Sequence, residues 1–207
     1  MTSRAAGVAD LSAARELTGD KAARIVEAMR TTVAERGIAG ATFDQVARAA
    51  GVSRGLLHYY FGTKERLLVE AARRESEVRR QMLEEAMAGA DTVERVLDAM
   101  VGNFEDFLGE SLAPALMFHE LLSLAGRNRE IADALAELGE LTRSHLAGEL
   151  SAKAEAGVLT LRDEPEAVAA FLIVLADGIT VRRLSEPDFD ISPLMDQAVA
   201  AARALLS

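Results

Sequence analysis

Apolar residues recur every three or four positions along most of the chain, which is the spacing of one face of an α-helix. No segment shows the strict alternation of apolar and polar residues that is typical of a half-buried strand. Glycine, proline and capping residues interrupt the helical pattern and divide it into segments. These breaks predict nine helices, over about 20–36, 43–50, 54–60, 64–87, 92–108, 112–125, 128–156, 165–184 and 192–206. The sequence therefore predicts an all-α protein.

The lengths of the predicted helices indicate two units. The first three helices form an N-terminal head over residues 20–66, and the other six form a C-terminal body over 67–207. Residues 1–19 are small and polar, which predicts a flexible arm. The long fourth helix begins in the head and ends in the body, where Gly89 stops it, and Asp91 is expected to cap the fifth helix together with Glu94.

The segment 42–68 carries the most specific signal. It reads TFDQVARAAGVSRGLLHYYFGTKERLL and contains two short helical patterns joined by a tight turn. Thr42 and Gln45 have the spacing of a capping box, Gly51 suits the left-handed end of the first helix, and Ser53 suits the N-cap of the second. This arrangement predicts a helix-turn-helix, whose second helix fits the major groove of DNA.

The second helix of this motif presents groups that bind nucleic acid. Arg54, Gly55 and Leu56 fall in its first turn, where side chains reach base edges. Further along are candidate phosphate donors, namely His58, Tyr59, Tyr60 and Lys64, and Gln45 and Ser53 are also included in the predicted DNA-binding set. Leu57 and Phe61 have inward spacing and are expected in the core, while the helical spacing leaves Tyr60 open between core and surface.

The stretch GVSRGLLHYYFGTKERLL resembles the DNA-binding signature of the TetR (tetracycline-repressor-like) family of bacterial regulators, and the resemblance covers roughly positions 20–68. It implies an all-α homodimer in which the head binds DNA and the body, 67–207, binds a ligand and dimerises. Its DNA contacts, carried onto matching positions, assign phosphates to Thr42, Tyr60 and Lys64, bases to Arg54, and bases or backbone to Leu56 and Tyr59. This chain departs from the family at His58, where an aromatic residue is usual, so both a phosphate contact and a packing role stay open there.

The charge distribution agrees with a DNA-binding head. The formal net charge is −10, but residues 20–66 carry eight Lys or Arg against five Asp or Glu. From Leu67 onward there are 13 basic against 26 acidic residues, so the head is mildly basic on an acidic body. Such a molecule is expected to approach DNA through its head.

Composition excludes several other functions. The chain has no cysteine, which is typical of a reducing cytoplasm and rules out disulfides and thiolate metal sites. The N-terminus lacks the apolar run of a signal peptide, and the longest apolar stretch, 167–176, is far shorter than the ~20 residues of a membrane span. No metal or other cofactor is expected, because the three histidines do not have metal-site spacing.

An enzyme was the main alternative, because residues 51–55 read Gly-Val-Ser-Arg-Gly, the pattern of a hydrolase nucleophile elbow. That elbow needs a strand before the serine. Here a capped amphipathic helix precedes Ser53, so the pattern indicates an N-cap and no catalysis.

The eighth and ninth predicted helices favour a homodimer. The eighth is apolar on two sides and therefore needs two partners, of which a second copy of the chain is one, in a four-helix bundle. The alternative is a monomeric core that covers both sides. The predicted interface consists of Phe171, Leu175, Gly178, Ile179, Leu194, Ala198 and Ala202.

The fifth, sixth and seventh predicted helices have apolar faces that should converge on a pocket for a small, largely apolar effector, and the sixth is apolar nearly all round. The predicted lining is Met100, Asn103, Phe104, Phe107, Met117, Phe118, His119, Leu122 and His145. Either histidine is equally consistent with a hydrogen-bonded core residue. The function predicted from the sequence is a transcriptional repressor that a small molecule releases from a palindromic operator.

Overall fold

The computed structural model describes residues 19–109 and 111–207, and the arm predicted over residues 1–19 lies outside the described residues except for its last position. Within that part of the chain the fold consists of nine helices and no strand. The helices are α1 Gly19–Gly40, α2 Phe43–Ala50, α3 Arg54–Phe61, α4 Lys64–Ala88, α5 Val93–Leu108, α6 Ala113–Ala125, α7 Arg129–Glu155, α8 Pro165–Ser185 and α9 Ser192–Leu206. The all-α prediction is confirmed.

Hydroxyl side chains start most of the head helices. The Thr42, Ser53 and Thr63 hydroxyls accept hydrogen bonds from backbone N–H groups in the first turns of α2, α3 and α4. Each bond satisfies one of the N–H groups that a helix start leaves without an intrahelical partner. The predicted cap of α5 was wrong, because Thr92 accepts from the Arg95 N–H while Asp91 pairs with the Arg95 guanidinium at 3.0 Å.

Helix α1 changes direction near its end. Gly37 has φ 68° and ψ 174°, a conformation that glycine adopts without steric cost, so the continuous helix stops there as predicted and one further turn follows to Gly40. The Lys64 ammonium at the start of α4 donates to the Ile38 carbonyl at 2.5 Å, which fixes this last turn against α4.

A first hydrophobic cluster joins the head to the beginning of α4, to α6 and to the first half of α7. The head contributes buried residues from α1, α2 and α3, including Ile25, Phe43 and Leu57. Helices α6 and α7 add buried side chains to the same cluster, among them Met117 and Ile131. Because one apolar core spans both units, the head rests on α6 through α1, and α7 joins the same core through α4 and α6.

A second hydrophobic cluster lies at the far end of the body. It combines the end of α4 with α5, the second half of α7, α8 and α9, and includes Met87, Leu97, Leu150 and Leu172. The body core is therefore divided into two apolar regions along α4 and α7. None of the helices in the described part of the chain combines the length and apolar content that a bilayer crossing requires.

Two expectations of burial need correction. Helix α6, which is apolar nearly all round, has an exposed side that carries Leu122 and His119, both assigned to the effector pocket. Ala202 of α9, assigned to the dimer interface, is buried against the chain's own second cluster together with Leu206. In both cases the sequence identified the apolar side of the helix correctly. It did not identify which neighbouring element, if any, covers that side.

Candidate DNA-binding and effector sites

Helices α2 and α3 form the predicted helix-turn-helix. Gly51 adopts the left-handed conformation, φ 65° and ψ 39°, and its N–H bonds back to the end of α2. Val52 is half-buried against the first cluster, while Leu57 and Phe61 on the inner face of α3 are fully covered. The inner face of the motif is therefore held in the first cluster, and its outer face is exposed.

The outer face of α3 presents the residues predicted to contact DNA. Tyr59 is 80% exposed, and its ring meets the half-buried Tyr60 edge to face at 4.9 Å. Gly55 is exposed in the first turn, so backbone can approach a ligand closely there. Leu56, in contrast, is half-buried and packs against the first cluster. The large aromatic surface of Tyr59 is the most exposed apolar group of the head.

Arg54 lies on the same face and already has protein partners. Its Nε donates to His58 Nε2 at 3.2 Å, and its Nη1 lies 3.3 Å from Asp44 Oδ2 of α2. The guanidinium therefore spans from α3 to α2 across the outer face of the motif. Neither Asp44 nor this arrangement of His58 was predicted from the sequence.

The remaining predicted DNA contacts surround this face. Thr42 is exposed, and its Oγ1 accepts from the half-buried Gln45 N–H at 3.4 Å. Ser53 Oγ accepts from the Leu56 N–H at 3.2 Å, so this serine caps α3 after a helix instead of following a strand. Lys64 is half-buried, and its bond to Ile38 engages one of its three donors.

The residues predicted to line an effector pocket separate into three groups. Met117 is buried in the first cluster and Met100 packs against the second. His119 and Leu122 lie on the exposed side of α6, so the structure does not bring them to the others. The third group is half-buried between the two clusters or beside them, and consists of Asn103, Phe104, Phe107, Phe118 and His145.

Arg79 of α4 is the functional candidate that the sequence prediction missed. Its side chain is only 13% exposed, and both Nη1 and Nη2 donate to the Asn103 carbonyl, at 2.9 and 3.0 Å. The guanidinium carbon lies 5.2 Å from the centre of the Phe107 ring, a cation–π distance. Asn103 Nδ2 donates in return to the Arg79 carbonyl at 2.9 Å. The signal was present in the sequence, because Arg79 continues the core spacing of Leu68 and Ala72.

Two buried nitrogen atoms, Arg79 Nε on α4 and His145 Nε2 on α7, have no hydrogen-bond partner among the described residues. Glu75 Oε1 lies 3.5 Å from Arg79 Nε, which is an ion-pair distance without hydrogen-bond geometry. Burial lowers the pKa of Arg79. Since nearly all buried polar atoms in proteins are hydrogen-bonded, unsatisfied donors of this kind are what a bound polar group would complete.

Helices α8 and α9 border an open apolar groove of about 560 Å³. Phe171 and Val174 on its wall are 51% and 68% exposed. The complete lining contains the predicted Phe171, Leu175, Gly178, Ile179 and Leu194, and adds Val174, Arg182 and Phe189. Ala198 is half-buried on α9. Exposed aromatic and branched side chains in one groove are typical of an interaction surface.

Comparisons with known proteins agree with this architecture. Residues 25–71 match the family model described as bacterial regulatory proteins of the tetR family. The HTH-type transcriptional regulator BetI of Rhizobium meliloti strain 1021 is 30% identical over 162 residues, which cover 77% of this chain and 75% of that protein.

Solved structures share the fold. A crystal structure of a putative TetR-family regulator from Rhodococcus sp. covers 92% of this chain and 100% of its own, with 24% identity and a TM-score of 0.76. The Bacillus subtilis regulator FadR, in complex with stearoyl-CoA, is 19% identical with a TM-score of 0.69, and covers 89% of this chain and 99% of its own. With its helix-turn-helix head and helical body, this chain belongs to the tetR family of bacterial regulatory proteins.

Proposed function

We propose that this transcriptional regulator is a homodimeric repressor that binds a palindromic operator through α3 and leaves it when a small, largely apolar molecule binds in the body. The observation that carries the proposal is the exposed face of α3, where Arg54 and Tyr59 project from a helix-turn-helix whose inner face is buried in the first cluster. A surplus of basic residues in the head supports the same assignment.

DNA recognition divides into two kinds of contact. Arg54 is the residue proposed to read a base, because arginine donates two hydrogen bonds to the O6 and N7 of guanine. Tyr59, Tyr60, Thr42 and Lys64 are proposed to contact phosphates or sugars, which set the position of the head without reading sequence. The two heads of a dimer would then read the two half-sites of a palindrome.

The experiment is selection of duplexes from a random library by the full-length protein, followed by binding measurements on the selected sequence. We expect Arg54→Ala to lose about 1–3 kcal/mol of discrimination at one base pair per half-site. Lys64→Ala should weaken binding to all duplexes and lower the salt dependence of binding. Arg48→Ala removes the same charge from the last turn of α2 and serves as the matched control. Equal losses of specific and non-specific binding in Arg54→Ala would remove the base-reading assignment.

The α8–α9 groove supports a dimer formed by a second copy of the chain. Phe171, Val174 and Leu175 present apolar surface that no other part of the described chain covers completely. Phe171→Asp should split the dimer, because an unpaired carboxylate in an apolar interface is costly to bury. Leu141→Asp introduces the same charge at an exposed leucine of α7 and should leave assembly intact. A wild-type monomer in sedimentation at micromolar concentration would contradict this proposal.

The region between the two apolar clusters is the proposed effector site. Asn103 and Phe107 of the predicted lining contact Arg79, which lies on α4 between residues of the two clusters, and Arg79 Nε and His145 Nε2 lack hydrogen-bond partners among the described residues. The complex of the related fold with stearoyl-CoA supports an effector that has a large apolar part. To change operator occupancy from 99:1 to 1:99, the ligand must prefer the released state by about 10⁴-fold.

A thermal-shift series with candidate ligands tests the site. Phe107→Ala and His145→Ala should reduce the stabilisation by ligand, while His119→Ala, on the exposed side of α6, is the control. A reporter placed behind the selected operator gives the sign of regulation, and repression should be relieved by the same ligand. If all three variants respond as wild type does, the effector site is elsewhere. Activation by the unliganded protein would replace the repressor proposal.

A further inference from the structure

His58 has two hydrogen-bond partners, and both restrict its protonation. Its Nδ1 lies 3.3 Å from the Gly62 carbonyl, and its Nε2 lies 3.2 Å from Arg54 Nε. A carbonyl oxygen only accepts, so Nδ1 must carry the proton, and a guanidinium only donates, so Nε2 must be without one. The two contacts together require the neutral imidazole with its proton on Nδ1.

The ring of His58 is also fixed by packing. It meets the buried Phe43 ring of α2 edge to face, with 4.7 Å between centres and 73° between planes. Gly62, whose carbonyl receives the Nδ1 proton, has φ 69°, a left-handed conformation that ends α3. The helix end and the neighbouring helix therefore both contact the exposed imidazole and favour the orientation with Nε2 toward Arg54.

Arg54 keeps free donors while it is held. Its Nε–H goes to His58 and one Nη1–H goes to Asp44, which engages two of its five N–H groups. Three N–H groups are left, including both on Nη2. Two donors are enough for the paired acceptors on the major-groove edge of guanine. The contacts with His58 and Asp44 are thus compatible with base recognition and limit the directions in which Arg54 can point.

We propose that His58 is a positioning residue that, together with Asp44, orients Arg54 and so determines which base pair the head discriminates. This inference rests on the proposed base-reading role of Arg54. An unrestrained arginine side chain samples many rotamers, whereas one held at Nε and Nη1 presents its remaining donors in a fixed direction. Protonation of His58 at Nε2 removes the acceptor and places two cations side by side, which releases Arg54.

The charged groups that the structure places around the imidazole are few. Arg54 belongs to its own helix and Asp44 to α2. From α4, Arg66 extends toward Gly62 and pairs with Glu130 at 2.8 Å. Phe43, the other contact from α2, is uncharged. A protonated His58 would therefore face the guanidinium of Arg54, with Arg66 near Gly62 already paired to Glu130 and the Asp44 carboxylate already paired to Arg54.

The test uses the full-length protein and the duplex selected from the random library. Every single base-pair variant of the half-site is titrated by fluorescence anisotropy, and Arg54→Ala identifies the position that Arg54 reads. His58→Phe keeps a ring against Phe43 but removes the acceptor, and should lower discrimination at that position by on the order of 10-fold or more, with the other positions unchanged. His58→Gln keeps an acceptor and should retain most of the discrimination at that position.

The pH dependence of discrimination at the Arg54 position is a readout that a purely structural role of His58 would not change. From pH 8 down to a pH at which imidazoles are protonated, wild-type discrimination at the Arg54 position should fall toward the His58→Phe level. His58→Gln should be insensitive to pH over that range. Since discrimination is a ratio of two affinities, the general gain in DNA affinity at low pH cancels.

The outcomes separate this inference from the proposed function. If Arg54→Ala loses no base discrimination, Arg54 is not the base reader and the proposed DNA contact fails first. If Arg54→Ala loses it while His58→Phe keeps it, or if wild type and His58→Gln share one pH profile, the positioning role is overturned alone. Nitrogen-15 spectra of the free protein add an independent check, because the inference requires the Nδ1–H tautomer at pH 8 and is overturned by the Nε2–H tautomer.

Discussion

Substitutions of Arg79 test whether this arginine contributes to ligand binding or to the stability of the fold. The guanidinium is enclosed between α4 and α5, with Asn103 as its hydrogen-bond acceptor, Phe107 under its plane and Glu75 at ion-pair distance. The Asn103 carbonyl lies inside α5, where it can also accept the helical N–H four residues on. Removing the guanidinium thus leaves this acceptor satisfied.

The expected magnitudes follow from these contacts. Two hydrogen bonds from a charged group contribute about 1.5–3 kcal/mol each, but taking an ion out of water costs several kcal/mol, so the two effects nearly cancel. Arg79→Met keeps most of the packing volume, and we expect its free energy of unfolding within about 1 kcal/mol of wild type. Arg79→Ala also loses the methylenes that pack on Phe107, and should be about 2–3 kcal/mol less stable than Arg79→Met.

Chemical denaturation at one fixed protein concentration measures both variants, since the stability of a dimer depends on concentration. The same variants then go into the thermal-shift series with ligand, where both should lose stabilisation. If Arg79→Met destabilises the fold as strongly as Arg79→Ala, the charge itself holds α4 and α5 together. That result would refute the argument that the main role of the Arg79 guanidinium is to bind a ligand.

Four further measurements check separate parts of the structure. Ser53→Ala should cost about 1 kcal/mol in chemical denaturation, because the α3 N-cap is lost, and an unchanged midpoint would contradict the cap. Arg54→Ala should reduce discrimination at one base pair while Arg48→Ala lowers affinity evenly. Phe171→Asp should shift sedimentation to the monomer. Partial desolvation raises the pKa of Asp177, although much of its surface is exposed, so native stability falls slightly as pH rises from the unfolded pKa to the folded one. Asp177→Asn should therefore stabilise the protein slightly at about pH 7 and have less effect near pH 3, and a pH-independent difference would contradict the desolvation argument.

Features of the head that depend on neighbours in sequence were predictable. The Thr42 and Ser53 caps and the left-handed Gly51 each involve groups within three or four positions, so residue type and spacing specify them. The α5 cap shows the limit of this reasoning. Asp91 and Thr92 are adjacent and both are good caps, and the choice depends on where the preceding chain leaves α4.

Features of the body that depend on packing between distant helices were not predictable. Periodicity placed Phe171 and Ala202 on apolar faces, but only the arrangement of α8 and α9 decides that the first is exposed in the groove and the second is buried. Likewise, His119 and His145 share apolar stripes in the sequence, and the rotation of α6 places only His119 on the exposed side. Arg79 was missed because only apolar, amide and histidine side chains were considered as lining of the effector pocket, and a charged residue at core spacing was not.

Helix α4 connects the proposed DNA-binding face of α3 with the proposed effector site through packing and not through a flexible linker. Its first half shares the apolar cluster of the head with α6 and α7, and Arg66 and Arg73 pair with Glu130 and Glu137 of α7. Partly exposed pairs contribute only about 0–1 kcal/mol each, so the shared core provides most of the rigidity. With 25 residues, α4 is about 37 Å long, and a tilt of roughly 5° about its far end moves the head by ~3 Å. Hydrogen bonds to bases hold only over about 0.5 Å, from 2.7 to 3.2 Å. A reorientation of the same size beside Arg79, about 22 Å from the start of α4, moves the head by ~2 Å and is therefore sufficient to disrupt the base contacts proposed for Arg54.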